Sequence, residues 1–161
     1  MPTLHTQFIG EGIDGNGDKK AIDPRVVLTG RGPVIQVTLG IADTFAEQLI
    51  QQNLSVPEPI AGLALIDTGA SVTCIDDVAA QRLNLPVIDR VYMSSASHDS
   101  TEMNVYPAKI QFAGIPIVLN ALRAVGASLE SQGLLVLLGR DALQNFTLFY
   151  NGLVGQITIS L

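Results

Sequence analysis

The feature that most constrains this chain is an apolar run that ends abruptly in an acid. Residues 63–66 are Leu-Ala-Leu-Ile, and Asp67, Thr68 and Gly69 follow directly. Such a run predicts a buried strand, and the glycine lets the backbone turn tightly behind the acid. A buried ionised carboxylate is costly unless partners or a shared proton compensate it. The pattern therefore indicates a functional acid, although an aspartate that merely caps a turn would give the same tripeptide.

A second apolar run ends in glycine 72 positions after Asp67. Residues 134–138 are Leu-Leu-Val-Leu-Leu, and Gly139, Arg140 and Asp141 follow. This pattern predicts another buried strand, which leads into a short helix.

Together, Leu-Ile-Asp-Thr-Gly-Ala-Ser and Leu-Leu-Gly-Arg-Asp-Ala-Leu resemble the retropepsin-like aspartic proteases of the cellular and bacterial type. The resemblance covers about residues 32–160. Between the two motifs, residues 75–86 look like the short helix that cellular and bacterial members carry after the catalytic loop. It implies a mostly β, closed barrel or sandwich (the acid protease fold), with two or three short helices and one lobe per chain. We expect this domain to span residues 29–161, and residues 1–28 to form an N-terminal segment that can pair at a dimer interface.

The resemblance also implies an aspartic endopeptidase. This chemistry uses two neighbouring carboxylates that share one proton, because like charges so close together cannot both ionise. One carboxylate acts as base on a bound water, and the protonated one polarises the scissile carbonyl. Asp43 and Thr44 are followed by Phe45 and not by glycine, so the chain offers a single catalytic loop. We therefore expect a homodimer in which each chain contributes Asp67.

The same resemblance assigns roles to residues around Asp67. Thr68 is expected to brace the two loops across the dimer axis, and Gly69 to bring its backbone near the substrate. The expected substrate contacts are Ala70 and three residues of a flap, Ala96, Ser97 and His98. An exposed histidine without a role is the alternative for His98.

Four residues are expected to support the site: Ser71, Gly139, Arg140 and Asp141. Viral members often have an acid where this chain has Ser71. Arg140 is expected to make a buried, bidentate contact that ties the last helix to the core or to the partner chain, and Asp76, Asp77 and Asp141 are its candidate partners. A purely structural network at the start of the last helix is the alternative for Arg140 and Asp141.

The candidate flap covers residues 91–106. Its tip is rich in serine, whereas viral flaps are rich in glycine, but backbone groups here can still bind a substrate peptide in extended form. Residues 41–60 are an insertion relative to the viral pattern. A helix is expected there at 44–52, because Thr44 and Glu47 have the spacing of a capping box.

Periodicity places the other elements. Residues 33–40 alternate as a strand, and residues 10–20 form a polar hairpin turn. Asn151 and Gly152 suggest a second hairpin turn. Further strands are expected at 72–75, 104–112, 115–119, 134–138, 146–150 and 153–160.

Composition favours one compact domain of short aliphatic strands. The 161 residues are 47% hydrophobic but only 5% aromatic, with 15 Gly and 8 Pro. A net charge of −6 argues against nucleic acid or an anionic membrane as partner. The single cysteine, Cys74, cannot form an internal disulfide and is expected to be a buried core thiol. No signal peptide or membrane span is visible, so we expect a cytoplasmic protein.

No metal or organic cofactor is expected. Two histidines and one cysteine give no zinc spacing. Asp14, Asn16 and Asp18 imitate the start of a calcium loop, but Lys19 and Arg25 stand where glycine and glutamate are needed. The alternative to an enzyme is a catalytically silent retropepsin-like module for dimerisation or peptide binding.

Overall fold

The computed structural model describes residues 1–95 and 98–161. Within these ranges the chain forms twelve β-strands, four short α-helices and one 3-10 helix. The predicted mostly β architecture is confirmed. Four α-helices are present where two or three were expected, and the additional one lies near the N-terminus.

The N-terminal part contains three strands and this additional helix: β1 (Thr3–Gln7), β2 (Gly10–Ile13), β3 (Lys19–Ile22) and α1 (Pro24–Arg31). β2 and β3 pair antiparallel around the hairpin turn predicted for residues 10–20. Helix α1 begins at a proline and is capped by Asp23, whose side chain accepts from the Arg25 amide. A hydrogen bond from the Arg25 guanidinium lowers the pKa of the Asp23 carboxyl to about 2.

Helix α1 crosses the expected boundary between residues 28 and 29. The sequence did not indicate this helix, because it is only eight residues long and contains Gly30. Its Val27 and Leu28 are buried in the same core as the barrel strands.

The body of the molecule is a closed barrel. Its strands are β4 (Val34–Ile41), β5 (Ile60–Ile66), β6 (Cys74–Asp76), β7 (Asp89–Ser95), β8 (His98–Phe112), β9 (Val118–Ala127) and β10 (Val136–Leu138). The order is β4-β5-β10-β6-β9-β8-β7, and an additional antiparallel pairing of β4 with β8 closes a ring of six strands. Fully buried side chains fill the interior, among them Val37, Leu39, Ile75, Ile110, Phe112 and Leu138.

Strand β9 differs from the expectation. It begins at Val118 and continues to Ala127, whereas the sequence predicted a strand over 115–119. Residues 120–123 alternate poorly in polarity, and their strand structure comes from pairing with β8. Strand β6 begins at Cys74, two residues later than the predicted start at residue 72.

The insertion at 41–60 lies at the end of the barrel opposite Asp67. It contains helix α2 (Asp43–Gln51), and β5 then runs about 20 Å from Ile60 to the other end. The predicted capping box is wrong, because the N-cap is Ala42 and makes no side-chain cap bond. The Asp43 side chain instead accepts hydrogen bonds from Lys109 and Asn120.

The remaining elements are α3 (Asp77–Arg82), the 3-10 helix (Glu130–Gln132), α4 (Arg140–Leu143), β11 (Thr147–Asn151) and β12 (Gln156–Ser160). β1, β12 and β11 form a separate antiparallel sheet, with β12 in the centre. The predicted C-terminal hairpin is confirmed, but its turn is longer than Asn151-Gly152 because β12 begins only at Gln156. No helix in the described ranges has both the length and the apolar character that crossing a membrane requires.

Candidate active site

Two strands bring the two sequence motifs together. β5 and β10 run parallel, with Ala64 opposite Val136 and Ile66 opposite Leu138. The amide of Asp67 then donates to the carbonyl of Leu138 at 3.0 Å. Because parallel strands end at the same edge of a sheet, the Asp67 loop (residues 67–71) lies beside the start of α4.

The Asp67 carboxylate is held by its own loop. Its Oδ1 accepts from the amide of Gly69 at 2.8 Å and from that of Ala70 at 3.3 Å. Its Oδ2 has no hydrogen-bond partner among the described residues. A Cβ at Gly69 would lie 3.0 Å from Oδ1, so glycine suits this close approach. One carboxylate oxygen is thus fixed in position by the loop, while the other makes no hydrogen bond to any described residue.

Arg140 also supports the Asp67 loop, although not in the way that was expected. Its Nη1 donates to the carbonyls of Thr68 at 2.8 Å and Gly69 at 2.9 Å, and the side chain is exposed. Within the single chain, the expectation of a buried contact to a carboxylate is therefore wrong. The backbone of the loop turns its carbonyl oxygens towards α4, where they accept hydrogen bonds from the guanidinium of Arg140. No sequence pattern reveals such acceptors.

The candidate partners of Arg140 bind elsewhere. Asp76 is 6% exposed, caps α3 through the amide of Ala79, and accepts from the amides of Leu129 and Glu130 at 3.1 Å. Asp77 accepts from the hydroxyl of Tyr106 at 2.6 Å and from the side chain of Gln81. These two acids hold α3 and the 3-10 helix against the barrel and lie outside the Asp67 loop. Burial, followed by the hydrogen bond to Asp77, raises the pKa of Tyr106.

The third acid, Asp141, joins the two motifs through Thr73. Its Oδ1 accepts from the Thr73 hydroxyl at 2.7 Å and its Oδ2 from the Thr73 amide at 3.0 Å. The same hydroxyl accepts from the amide of Gly139 at 3.1 Å, and Thr73 is fully buried. Thr73 therefore fixes the strand that leaves the Asp67 loop to the start of α4.

Thr73 was not among the site residues predicted from the sequence. Its only signal is a hydroxyl in the otherwise apolar run Val-Thr-Cys-Ile at 72–75. A buried hydroxyl requires a partner, but that partner lies 68 residues away along the chain. Its identity could be read only from the folded structure.

Replacing Thr73 by valine is expected to destabilise the fold by about 2–4 kcal/mol, because the shape stays nearly constant while Asp141 and the Gly139 amide each lose a partner. Chemical denaturation followed by circular dichroism measures this free energy. The control is Thr73→Ser, which keeps the hydroxyl and is expected to cost only about 1 kcal/mol for the lost methyl. Equal losses for the two variants would contradict a role for the hydroxyl.

Cys74 lies next to this network and is only half-buried. Burial raises the pKa of its thiol, and the negative charges of Asp141 and Asp67 raise it further. The thiol is therefore protonated near neutral pH and is a poor nucleophile there.

The other predicted site residues belong to the Asp67 loop or fall on the flap. Thr68 and Ser71 are exposed and Ala70 is half-buried, and the Ser71 carbonyl accepts from the amide of Asp141 at 3.3 Å. The Thr68 hydroxyl has no partner within the described part of the chain. The loop thus exposes Thr68 at the surface of a single chain, next to the half-buried Asp67.

The candidate flap is an antiparallel hairpin of β7 and β8, paired from Asp89–Val105 to Ser95–His98. His98 is the first residue of β8. Ala96 and Ser97, which were expected to contact substrate, lie outside the described residues. Among the residues that are described, no three His, Cys, Asp or Glu side chains form a group able to hold a metal ion.

Comparisons with known proteins give the family. The sequence model of the family described as "gag-polyprotein putative aspartyl protease" matches residues 61–145, which is more than half of the chain and includes the Asp67 loop, Thr73 and α4. The structure is also similar to the crystal structure of a retropepsin-like aspartic protease from Rickettsia conorii, with a TM-score of 0.41 and 14% sequence identity. That similarity covers 98% of this chain and 92% of the other.

A search of curated proteins found no match to the chain. The assignment therefore rests on the family's sequence model, which covers both motifs and the strands that bring them together. The chain belongs to the gag-type, retropepsin-like family of aspartyl proteases.

Proposed function

We propose that this protein is an aspartic endopeptidase, active as a homodimer in which each chain contributes one Asp67. The observation that carries the proposal is how the two oxygens of the Asp67 carboxylate are hydrogen-bonded. Two backbone amides hold Oδ1, no described residue binds Oδ2, and Asp67 is only half-buried beside the exposed Thr68 and Gly69. A single carboxylate cannot act as both acid and base on one substrate, so the site becomes complete only with a second copy.

The proposed reaction is hydrolysis by water. In the dimer the two Asp67 carboxylates share a proton, since like charges at hydrogen-bond distance cannot both ionise. The ionised one removes a proton from the bound water, and the protonated one donates to the scissile carbonyl. Neither a metal nor an organic cofactor takes part in this proposed reaction. The exposed Thr68 hydroxyl is available to bond across the axis and keep the two loops together.

The proposed substrate is a peptide or protein segment in extended form. The β7–β8 hairpin would cover it and exclude water. The proposed substrate contacts are Ala70, Ala96, Ser97 and His98. Extended peptides bind through their backbone groups, so such a site tolerates a flap tip that is rich in serine. The cytoplasm is the proposed location, because a chain whose single cysteine is Cys74 has no need of an oxidising compartment.

The test is a digest of a diverse peptide library between pH 4 and 8, read by mass spectrometry. Wild type, Asp67→Asn and Asp18→Asn are compared at micromolar concentration. Asp18 is an exposed acid of the β2–β3 turn, so its substitution controls for the loss of one negative charge. We expect wild type and Asp18→Asn to cleave the same peptide bonds, and Asp67→Asn to leave the library intact.

Cleavage by Asp67→Asn at the rate of wild type would refute the proposal. The absence of cleavage by folded, dimeric wild type would refute it as well. If that wild type and Asp67→Asn then bound peptides equally, the chain would be a silent module for peptide binding.

A further inference from the structure

Three cationic side chains have no partner among the described residues. Five of the nine Lys and Arg side chains form ion pairs with acids, and Arg140 donates to carbonyls of the Asp67 loop. The remaining three are Lys20, Arg31 and Arg82, and all three are exposed. Their places in the fold decide which of them can meet a substrate.

The chain that enters β4 runs beside the end of β5. The pairing of these two antiparallel strands sets Val34 opposite Leu65. The next hydrogen bond runs from the amide of Ile66 to the carbonyl of Pro33 at 3.0 Å. The contact between the two segments therefore continues beyond β4 and reaches the residue directly before Asp67.

The same register brings Arg31 to the candidate active site. Its next step sets Gly32 opposite Asp67, at the spacing of about 5 Å that separates paired strands. Gly32 has a φ of 73°, and a Cβ there would lie 2.9 Å from Cδ1 of Leu65, so glycine is required. Residue 32 thus puts no side chain between Asp67 and Arg31, which is the last residue of α1.

The other two cations without a partner belong to other parts of the fold. Arg82 lines a surface cavity beside the first residues of β5, whereas Asp67 follows the last residue of that strand. Lys20 belongs to the β2–β3 hairpin, which forms a two-stranded sheet of its own. Arg31 is therefore the exposed cation without a partner that strand pairing brings to Asp67.

We propose that Arg31 binds a carboxylate side chain of the substrate peptide and makes the protein selective for an acidic residue near the cleaved bond. The inference rests on the proposed function, because it names a substrate class for the same site. A guanidinium offers a carboxylate two parallel N–H donors, and exclusion of water strengthens their attraction. The acid lies within about four residues of the cleaved bond, because an extended peptide advances about 3.3 Å per residue.

The charges around the site favour this assignment. Asp67 is the only charged residue of the loop at 67–71, so the loop of a second copy brings no further acid to Arg31. The net charge of −6 repels acidic peptides at long range. A preference for an acid at one position of the substrate therefore requires a local cation.

Matched peptides test this selectivity. In a sequence that the library digest shows to be cleaved, Glu, Gln and Lys are placed in turn at each of the four positions on either side of the bond. At one position we expect wild type to cleave the Glu peptide with a kcat/KM at least about tenfold above that of the Gln peptide. Arg31→Gln should remove this preference and cleave the Gln peptide within about twofold of wild type.

Two further variants sharpen the comparison. Arg31→Glu should reverse the preference, so that the Lys peptide is cleaved faster than the Glu peptide at the same position. The matched control is Arg82→Gln, which removes an exposed cation without a partner at the other end of β5 and should keep the wild-type preference. Equal cleavage of Glu and Gln peptides by wild type at every position would overturn the inference, as would an acid preference that survives in Arg31→Gln.

Peptide capture separates this inference from the proposed function, because it does not depend on cleavage. Library peptides that bind to immobilised Asp67→Asn at pH 7 are identified by mass spectrometry and compared with those that bind to the double variant Asp67→Asn/Arg31→Gln. We expect the peptides captured by Asp67→Asn to be richer in Glu and Asp. Equal acidic content, or no capture, would overturn the inference even if wild type cleaves peptides. Enrichment in acids without cleavage by wild type would keep the inference while the protease assignment fails.

Discussion

An equal mixture of wild-type and Asp67→Asn chains is expected to cleave peptides at about one quarter of the rate of the same total amount of wild type. Random pairing leaves about a quarter of the dimers with two aspartates, and only these hold both an acid and a base. Loss of a general acid or base typically lowers the rate by about 10²–10⁴-fold, so mixed dimers contribute almost nothing. A dimer of two Asp67→Asn chains should cleave peptides more slowly than wild type by at least the same factor.

The measurement is initial cleavage rate against the fraction of variant chains, after unfolding and refolding the mixture to exchange subunits. A squared dependence on the wild-type fraction is expected. A linear dependence would mean that each chain acts alone, and about three quarters of the rate at equal amounts would mean that one aspartate per dimer suffices. Mixing with Asp18→Asn should leave the rate unchanged.

Replacing Gly139 by alanine is expected to destabilise the fold by at least about 3 kcal/mol. A Cβ there would lie 2.3 Å from the carbonyl carbon of Val72, 2.4 Å from its oxygen and 2.8 Å from the amide nitrogen of Thr73. All three are backbone atoms, so no side chain can rotate away to relieve the overlap. The two segments would have to separate, which would also break the contacts of Thr73 with Asp141 and with the Gly139 amide.

Urea denaturation gives the free energy of unfolding for this variant, with Gly30→Ala as its matched control. Gly30 lies in α1 with no atom within 4 Å of an added Cβ, so alanine there should stabilise the helix by about 0.5–1 kcal/mol. If Gly139→Ala were as stable as wild type, the backbone at Gly139 would not be tightly packed against the backbone of Val72 and Thr73.

Local patterns account for what the sequence predicted well. The alternating run at 33–40 became β4, and the apolar runs that end at Ile66 and Leu138 became the neighbouring strands β5 and β10. Asp67, the candidate catalytic acid, directly follows the end of β5, as the sequence predicted. Patterns of this kind work because a buried strand needs apolar residues over its own length, whatever its neighbours are.

The errors arose where partners distant in sequence decide the structure. At the start of helix α2 the Asp43 side chain binds Lys109 and Asn120, and Thr44 and Glu47 form no capping box. Arg140 binds carbonyls of the Asp67 loop, whose orientation is set by the turn itself. A carbonyl oxygen is present in every residue, so its availability leaves no trace in the sequence.

The sequence by itself determined that an aspartate follows a buried strand, that a second buried strand ends in glycine, and that one chain carries a single such acid. The tertiary structure decided how these parts meet. It pairs β5 with β10 in parallel and joins Thr73 to Asp141 across 68 positions. The physical reason is that strand pairing and buried hydrogen bonds need partners in space, and the chain brings those partners together only on folding.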